Sequence, residues 1–410
     1  MAEINQFCTE PITCCAQSGA ADRLALSPNN NLVYIYRQQN SSWVEESVLS
    51  QHDLRVTSID WAPKTDRIVT CSADRNAYVW IKSEQDQSWK PTLVLLRINR
   101  AATCVKWSPN EDKFAVGTAA KLVCVCYFES ANDWWLSRHI KKPIKSTVTC
   151  IDWHPDNILL ACGSTDYKSR IFSTFIKEVD KRASLPTLSS STWLKTKQLQ
   201  TNYQGDDPTA HQQLHETSVT TTGALVGEFS NSGAWVHDVA FSPDGVKLAW
   251  VSHDSSISVV DSSYSMTVVT LKTRYLPFLS CVWVSQNSII AAGHDCCPML
   301  FNHQTSKVST PQQNGPTSNN RNSMQQAVLK FIGRLDRSQK RTEDGQSAMR
   351  KFRDLDAKAD QSSLNGGESC LGTIHQNTIG QIRLYSKERS VATVGLDGKF
   401  VVWSLDPSVL

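Results

Sequence analysis

One heptapeptide recurs along this chain at a nearly constant interval, and that interval limits the available folds more than any other feature. Thr57-Ser58-Ile59-Asp60-Trp61-Ala62-Pro63, Thr103-Cys104-Val105-Lys106-Trp107-Ser108-Pro109 and Thr149-Cys150-Ile151-Asp152-Trp153-His154-Pro155 superpose without gaps, and both steps between their Trp residues span 46 positions. A fourth copy, His237-Asp238-Val239-Ala240-Phe241-Ser242-Pro243, stands about two periods further on. A fifth, Ser280-Cys281-Val282-Trp283, follows 42 residues after Phe241. Self-similarity at roughly 40–45 residues is the mark of a blade array, because each repeat is one small sheet that buries its faces only against its neighbours.

A second element recurs inside each period: a small residue, then a turn Asp, then an apolar or aromatic residue six positions after that Asp. It reads Asp74 to Trp80, Asp166 to Phe172, Asp254 to Val260, Asp295 to Phe301 and Asp397 to Trp403, with Ser72, Ser164, Ser252, Gly293 and Gly395 two places ahead of the Asp. An Asp that bonds nearby backbone turns the chain into the next strand, so one such turn is expected per blade. Two degenerate copies complete the set: Leu24-Ala25-Leu26-Ser27-Pro28 with Asn30 six before Tyr36, and Gly117 to Tyr127 with Lys121 in the place of the Asp. The expected fold is therefore all-β, a single seven-bladed β-propeller over residues 1–410. A pair of β-sandwiches would leave the period unexplained. The ring must also close, since an open end leaves a sheet edge unpaired, and Ile4 to Cys8 is the strand expected to complete the last blade.

Two stretches interrupt the repeat. Residues 181–230 are rich in Ser, Thr and Gln and poor in apolar groups, so they are expected to form a mobile polar insertion ahead of the fifth blade. Residues 302–372 form a second insertion, between blades six and seven, opening on the polar run Thr310 to Pro316. Within it Met324, Val328, Phe331 and Leu335 fall at steps of four, three and four, with Ile332 beside them, which predicts a short amphipathic helix near 323–336. From Arg321 to Arg353 nine Lys and Arg face three acids. A basic amphipathic helix outside a closed propeller either folds back on the rim or docks on an acidic, grooved partner; attachment to a membrane surface is a more remote third.

Composition removes several classes of function. The 42 Lys and Arg nearly balance 39 Asp and Glu, so no net field directs the whole molecule to nucleic acid or an anionic membrane. No apolar run approaches the ~20 residues of a spanning helix, and the Met-Ala-Glu-Ile start lacks a leader, which together suggest the cytosol. The 13 Cys are scattered through apolar strand-like runs, as reduced buried thiols would be. His294-Asp295-Cys296-Cys297 has the look of metal or nucleophile chemistry, but its Asp occupies the repeated turn position. Cys14-Cys15 and Cys124-x-Cys126 have no second pair at zinc-site spacing. Phosphate-binding glycine loops and a nucleophile elbow are absent. His52, His237 and His253 are expected to hydrogen-bond within their blades rather than act as bases. Trp134 to Lys142 interleaves aromatic and basic residues, and is read as a blade edge strand whose exposed aromatics would anchor a protein partner. No catalytic residue, metal or cofactor is assigned.

The particular residues carry more than the period does. Ala25-Leu26-Ser27-Pro28-Asn29-Asn30, Gln51 to Pro63, the run Asn99 to Arg182, Trp235-Val236-His237, Ala249 to Ser255, Ala291 to Cys296 and Gly333-Arg334-Leu335-Asp336 resemble the WD-repeat subunit (subunit 1) of the actin-related protein 2/3 complex. The resemblance implies a non-enzymatic cytoplasmic and cytoskeletal subunit of a seven-subunit assembly that nucleates branched actin filaments. It implies contacts with the other subunits and with the actin filament, and a part in receiving the acidic tail of nucleation-promoting factors. It also implies a projecting helix between blades six and seven that touches actin, matching Ala327 to Asp336 here; together with the apolar stripe this makes Met324, Val328, Phe331, Ile332, Arg334 and Leu335 the candidate contact residues. Asp74, Asp166, Asp254, Asp295 and Asp397 are expected to be structural. Partner chemistry of this kind requires neither nucleic acid nor membrane insertion. The alternatives are a WD-repeat adaptor of another assembly, such as a ubiquitin ligase or an RNA particle, and an enzyme with a polar cluster across the propeller channel.

Overall fold

The computed structural model describes residues 2–40, 42–180, 192–193, 221–230, 233–263, 266–307, 325–336, 372–385 and 390–406. They form seven antiparallel four-stranded sheets, six of them simple up-and-down meanders of consecutive strands. The innermost strands are Cys14–Gln17, Val56–Trp61, Ala102–Trp107, Val148–Trp153, Val236–Phe241, Phe278–Trp283 and Ile379–Tyr385. Each lies against the next around a channel, and the last returns to the first. In the seventh sheet the outermost place is filled from the other end of the chain: Ala2–Gln6 pairs with Lys399–Ser404, running from Ala2 opposite Trp403 to Gln6 opposite Lys399. The ring is thus closed by hydrogen bonds between the two ends of the chain, a little ahead of the expected Ile4 to Cys8.

Packing explains the sequence pattern. The second strands of several blades, such as Ile68–Ser72, Leu159–Ser164, Ser288–Gly293 and Ser390–Gly395, are buried at every residue because adjacent blades cover both faces. Small and apolar residues therefore run through them without alternation. The recurrent heptapeptide marks the seam between blades. The Trp107 backbone N–H donates to Asp60 Oδ2 at 2.7 Å, and the Phe241 N–H donates to Asp152 Oδ2 at 2.7 Å. The Trp153 indole donates to the Lys106 carbonyl at 3.0 Å, and that of Trp283 to the Ala240 carbonyl at 2.9 Å. Six inner strands also carry a register shift at their second residue. The bulged residues Thr57, Thr103, Thr149, His237, Leu279 and Gly380 all line the channel at one end.

Two expectations about the insertions are corrected. The first insertion does not precede blade five; it interrupts blade four, whose outer strand Leu225–Phe229 pairs with Ser169–Ser173. Most of 181–230 lies outside the described residues, but Trp193 within it is fully buried against Phe229 and Phe241. The second correction concerns the helix near 323–336. Gln325–Arg334 is instead the outer strand of blade six, antiparallel to Met299–Lys307, with Phe331 opposite Phe301 and Leu329 opposite His303. A sheet edge in need of its fourth strand offered a full ladder of backbone bonds, and Val328, Phe331 and Ile332 are residues that suit a strand. Four apolar positions over three turns were too few to outweigh that.

Candidate partner-binding surfaces

In an antiparallel meander, the entry to the inner strand and the turn between the second and third strands lie at the same end. All seven blades therefore present these loops on one face, called here the turn face. The aspartates of the repeat build it. Asp74 Oδ2 accepts the backbone N–H of Asp53 at 3.1 Å, Asp166 Oδ2 that of Lys145 at 2.9 Å, Asp295 Oδ2 that of Leu276 at 2.7 Å, and Asp397 Oδ2 that of Gln376 at 2.9 Å. Each carboxylate thus pins the loop entering its own blade. Asp254 differs: it accepts the Ser256 hydroxyl at 2.6 Å and lies 4.0 Å from Lys272 Nζ. In blades two and seven the pin extends into a buried network. His52 joins Asp74 at 2.7 Å to Thr70 at 2.8 Å, and the Trp80 indole donates to the same Thr70 at 3.0 Å. His375 joins Asp397 to Thr393 in the same way, with the Trp403 indole on Thr393 at 2.8 Å.

Held in this manner, the loops of blades two, three and four expose Arg55, Arg75, Arg97, Arg100, Lys121, Lys141, Lys142 and Lys145, and only one exposed acid, Asp53. Among the described residues none of these eight cations forms an ion pair. Arg97 is steadied by the Ser137 carbonyl at 2.6 Å, and Arg55 by Asn29 at 3.3 Å. Leu54 and Tyr167 stand among them, 54 % and 45 % exposed. A chain of net charge +3 thus carries a strongly basic arc on one face, which attracts anionic partners more than its total charge would. No stretch of sequence announces the arc, because its cations come from five separate loops that only the ring brings together.

The turn face changes character at blades five and six. Trp235 is 48 % exposed, and its ring lies 5.5 Å from that of His253. His253 Nδ1 lies 2.9 Å from Nε2 of His237, the bulged residue of its inner strand. His294 occupies the corresponding turn of blade six, with Nδ1 3.1 Å from the Thr378 hydroxyl.

Below this mouth, a cavity of about 590 Å³ is lined by paired charges. Arg383 bonds Asp60 at 2.6 Å and Lys106 bonds Asp152 at 2.5 Å. Asp238 accepts the Ser280 hydroxyl at 2.8 Å and the Cys281 N–H at 2.9 Å, and burial pushes its carboxyl up to about 6. The cysteines offer little reactivity. Burial pushes the thiols of Cys14, Cys104, Cys124 and Cys162 up to about 12 and those of Cys15 and Cys297 up to about 11, so they are protonated at neutral pH. Among the described residues no three His, Cys, Asp or Glu are grouped as metal ligands, and no helix is long and apolar enough to cross a membrane.

The residues assigned to a projecting helix sit on the outer strand of blade six. Phe331 is 36 % and Ile332 45 % exposed, while Leu329 is buried and Val328 and Leu335 are half-buried. The Phe331 ring rests 5.4 Å from Tyr275 and 5.6 Å from Phe301, and the Arg334 guanidinium lies 5.1 Å over the Tyr275 ring. Met324 lies outside the described residues. Counting strands would have identified this one, since blade six otherwise ends at its third.

Comparison with known proteins agrees with the ring. Residues 43–80 and 136–173 match the family described as "WD domain, G-beta repeat". The chain is 47 % identical over 406 residues to "Actin-related protein 2/3 complex subunit 1A-B" of Xenopus laevis, covering 98 % of this chain and 95 % of that protein. It is 38 % identical over 388 residues to "Actin-related protein 2/3 complex subunit 1" of Schizosaccharomyces pombe, covering 92 % of each. Against "Actin-related protein 2/3 complex subunit 1A" of Arabidopsis thaliana it is 35 % identical over 420 residues, covering 99 % and 97 %. With its seven-sheet ring and near-complete coverage of these relatives, the chain belongs to the family of subunit 1 of the actin-related protein 2/3 complex.

Proposed function

We infer that this chain is a non-catalytic scaffold subunit of the actin-related protein 2/3 complex, supporting branched actin nucleation in the cytoplasm and the actin cytoskeleton by holding neighbouring subunits, actin and nucleation-promoting factors together. The observation that carries the partner assignment is the arc of eight unpaired cations on the turn face, set around exposed Leu54 and Tyr167. Such a surface favours an acidic segment: like-signed loops speed encounter, and apolar anchors slow departure. Lys106, Asp152, Arg383 and Asp60, by contrast, are spent on one another inside the channel. The second contact, toward actin, is assigned to the exposed Phe331 and Ile332 pair beside Arg334. An adaptor role in a ubiquitin ligase or RNA particle is not favoured by relatives that all carry the complex's name.

Both contacts are tested in a reconstituted complex. Arg75→Glu, Arg100→Glu and Lys145→Glu together are expected to leave assembly intact and lower activation by an acidic promoting factor about tenfold or more, with weakened salt dependence. Phe331→Ser with Ile332→Ser is expected to reduce branch density while that activator still binds. Wild-type activation and branching by the two variants would overturn the respective assignments.

A further inference from the structure

We propose that an acidic segment docking on the turn face takes up a proton at the histidine cluster of blades five and six, so that its affinity rises as the pH falls. The inference rests on the reading of that face as an acceptor for acidic partners and adds its regulation.

The cluster differs from the other turn-face histidines in what it lacks. His52 and His375 each sit between a turn Asp and a buried Thr, with an anion already in place. His237 and His253 have each other: Nε2 of one faces Nδ1 of the other at 2.9 Å. That bond needs one unprotonated nitrogen as acceptor. The pair can therefore take one added proton on the outer nitrogen of the donating ring and keep this bond, whereas a second would put two N–H groups face to face and break the contact. The surrounding carboxylates are engaged elsewhere. Asp254 takes the Ser256 hydroxyl with Lys272 at 4.0 Å, Asp295 the Leu276 N–H, and Asp238 the Ser280 hydroxyl and Cys281 N–H. The remaining neighbour of His237 is the His294 ring, which supplies no anion. Burial, and then the neighbouring His253 and His294 rings, hold His237 down at about 4. An added proton is thus resisted in the free protein, and an incoming carboxylate is the missing counter-charge.

Position gives the coupling its reach. His237 shares the channel mouth with Thr103 and Thr149, the bulged residues of blades three and four, whose entry loops carry Arg97, Arg100, Lys141, Lys142 and Lys145. A peptide leaving the arc across the mouth meets the cluster. If binding is accompanied by uptake of one proton, affinity changes by up to about tenfold per pH unit in the titration range.

The test uses the full chain and a short fluorescent Glu/Asp peptide, whose carboxylates stay ionised above about pH 6. Anisotropy is followed at fixed ionic strength between about pH 8 and 6, and calorimetry in two buffers of unlike ionisation enthalpy counts the protons. Wild type is expected to tighten about five- to tenfold across that range with net proton uptake. His237→Gln with His253→Gln, and the exposed single change His253→Gln as a folding-neutral companion, are expected to keep the affinity at the alkaline end and lose most of the pH slope. An unchanged slope in these variants, or binding by wild type without proton uptake, would overturn the proposal and leave the acidic-partner reading standing. No binding even at low salt would overturn both.

Discussion

An aspartate six positions before an aromatic or apolar residue of a blade's third strand is recognisable in sequence, but what it does depends on who stands opposite. Asp74 and Asp397 are each bonded to a histidine and to a backbone N–H of the entry loop, whereas Asp254 holds only a serine and a distant lysine. The spacing is alike in all three; the partner histidine is not. His237 and Asp238, adjacent in the chain, show the same dependence on surroundings and make opposite contributions to stability against pH. His237 is held at about 4 against 6.5 for the free group, so its contribution is complete above 6.5 and is lost as the pH falls toward 4. Asp238 is raised from 3.8 to about 6, so its contribution is present below 3.8 and is lost as the pH rises through 6. Between about 4 and 6 the two slopes oppose. Asp238→Asn removes one of them, and the variant is expected to lose Tm more steeply than wild type on acidification from pH 6 to 4, followed by thermal denaturation across that range. A parallel Tm profile would show that the Asp238 carboxyl is not perturbed.

At the scale of the element, sequence periodicity succeeded where a blade was complete and failed where one was divided. The second and third strands of each blade are joined by a short turn of fixed pattern, which is why seven copies could be counted. The fourth strands of blades four and six stand far from the third in sequence, beyond stretches of 51 and 17 residues that follow Ser173 and Lys307, and no local pattern marks their return. Gln325–Arg334 was consequently read as a helix from four apolar positions, although hydrogen-bond pairing with Met299–Lys307 makes it a strand. Trp193 was missed for a related reason: it sits in a polar stretch, yet its indole donates to the Gly245 carbonyl at 2.7 Å and its ring meets Phe229 and Phe241 edge-on at 6.1 and 6.0 Å. It anchors the interrupted blade four to blade five. Trp193→Ala is expected to cost about 3–5 kcal/mol, read from denaturant midpoints, with an increase in protease sensitivity near residues 221–230. A loss below about 1 kcal/mol would mean that this contact does not stabilise the ring.

For the whole molecule, ring closure converts scattered loops into surfaces. Ala2–Gln6 completes the seventh sheet, Phe7 packs 4.6 Å from Tyr36 of blade one, and every inner strand then faces the channel in one direction. The basic arc follows from that direction alone, which is why composition, near neutral overall, concealed it. The fold was legible because a period is a property of sequence; the acceptor face was not, because it is a property of topology. Zero-length carboxylate-to-amine cross-linking of a reconstituted complex bound to an acidic promoting factor, mapped by mass spectrometry, addresses this directly. Links from the factor's acidic residues to Lys121, Lys141, Lys142 and Lys145 are the result expected of a scaffold that receives its activator on the turn face. Links confined to lysines on the opposite face or the blade edges, such as Lys64 and Lys90, would contradict it.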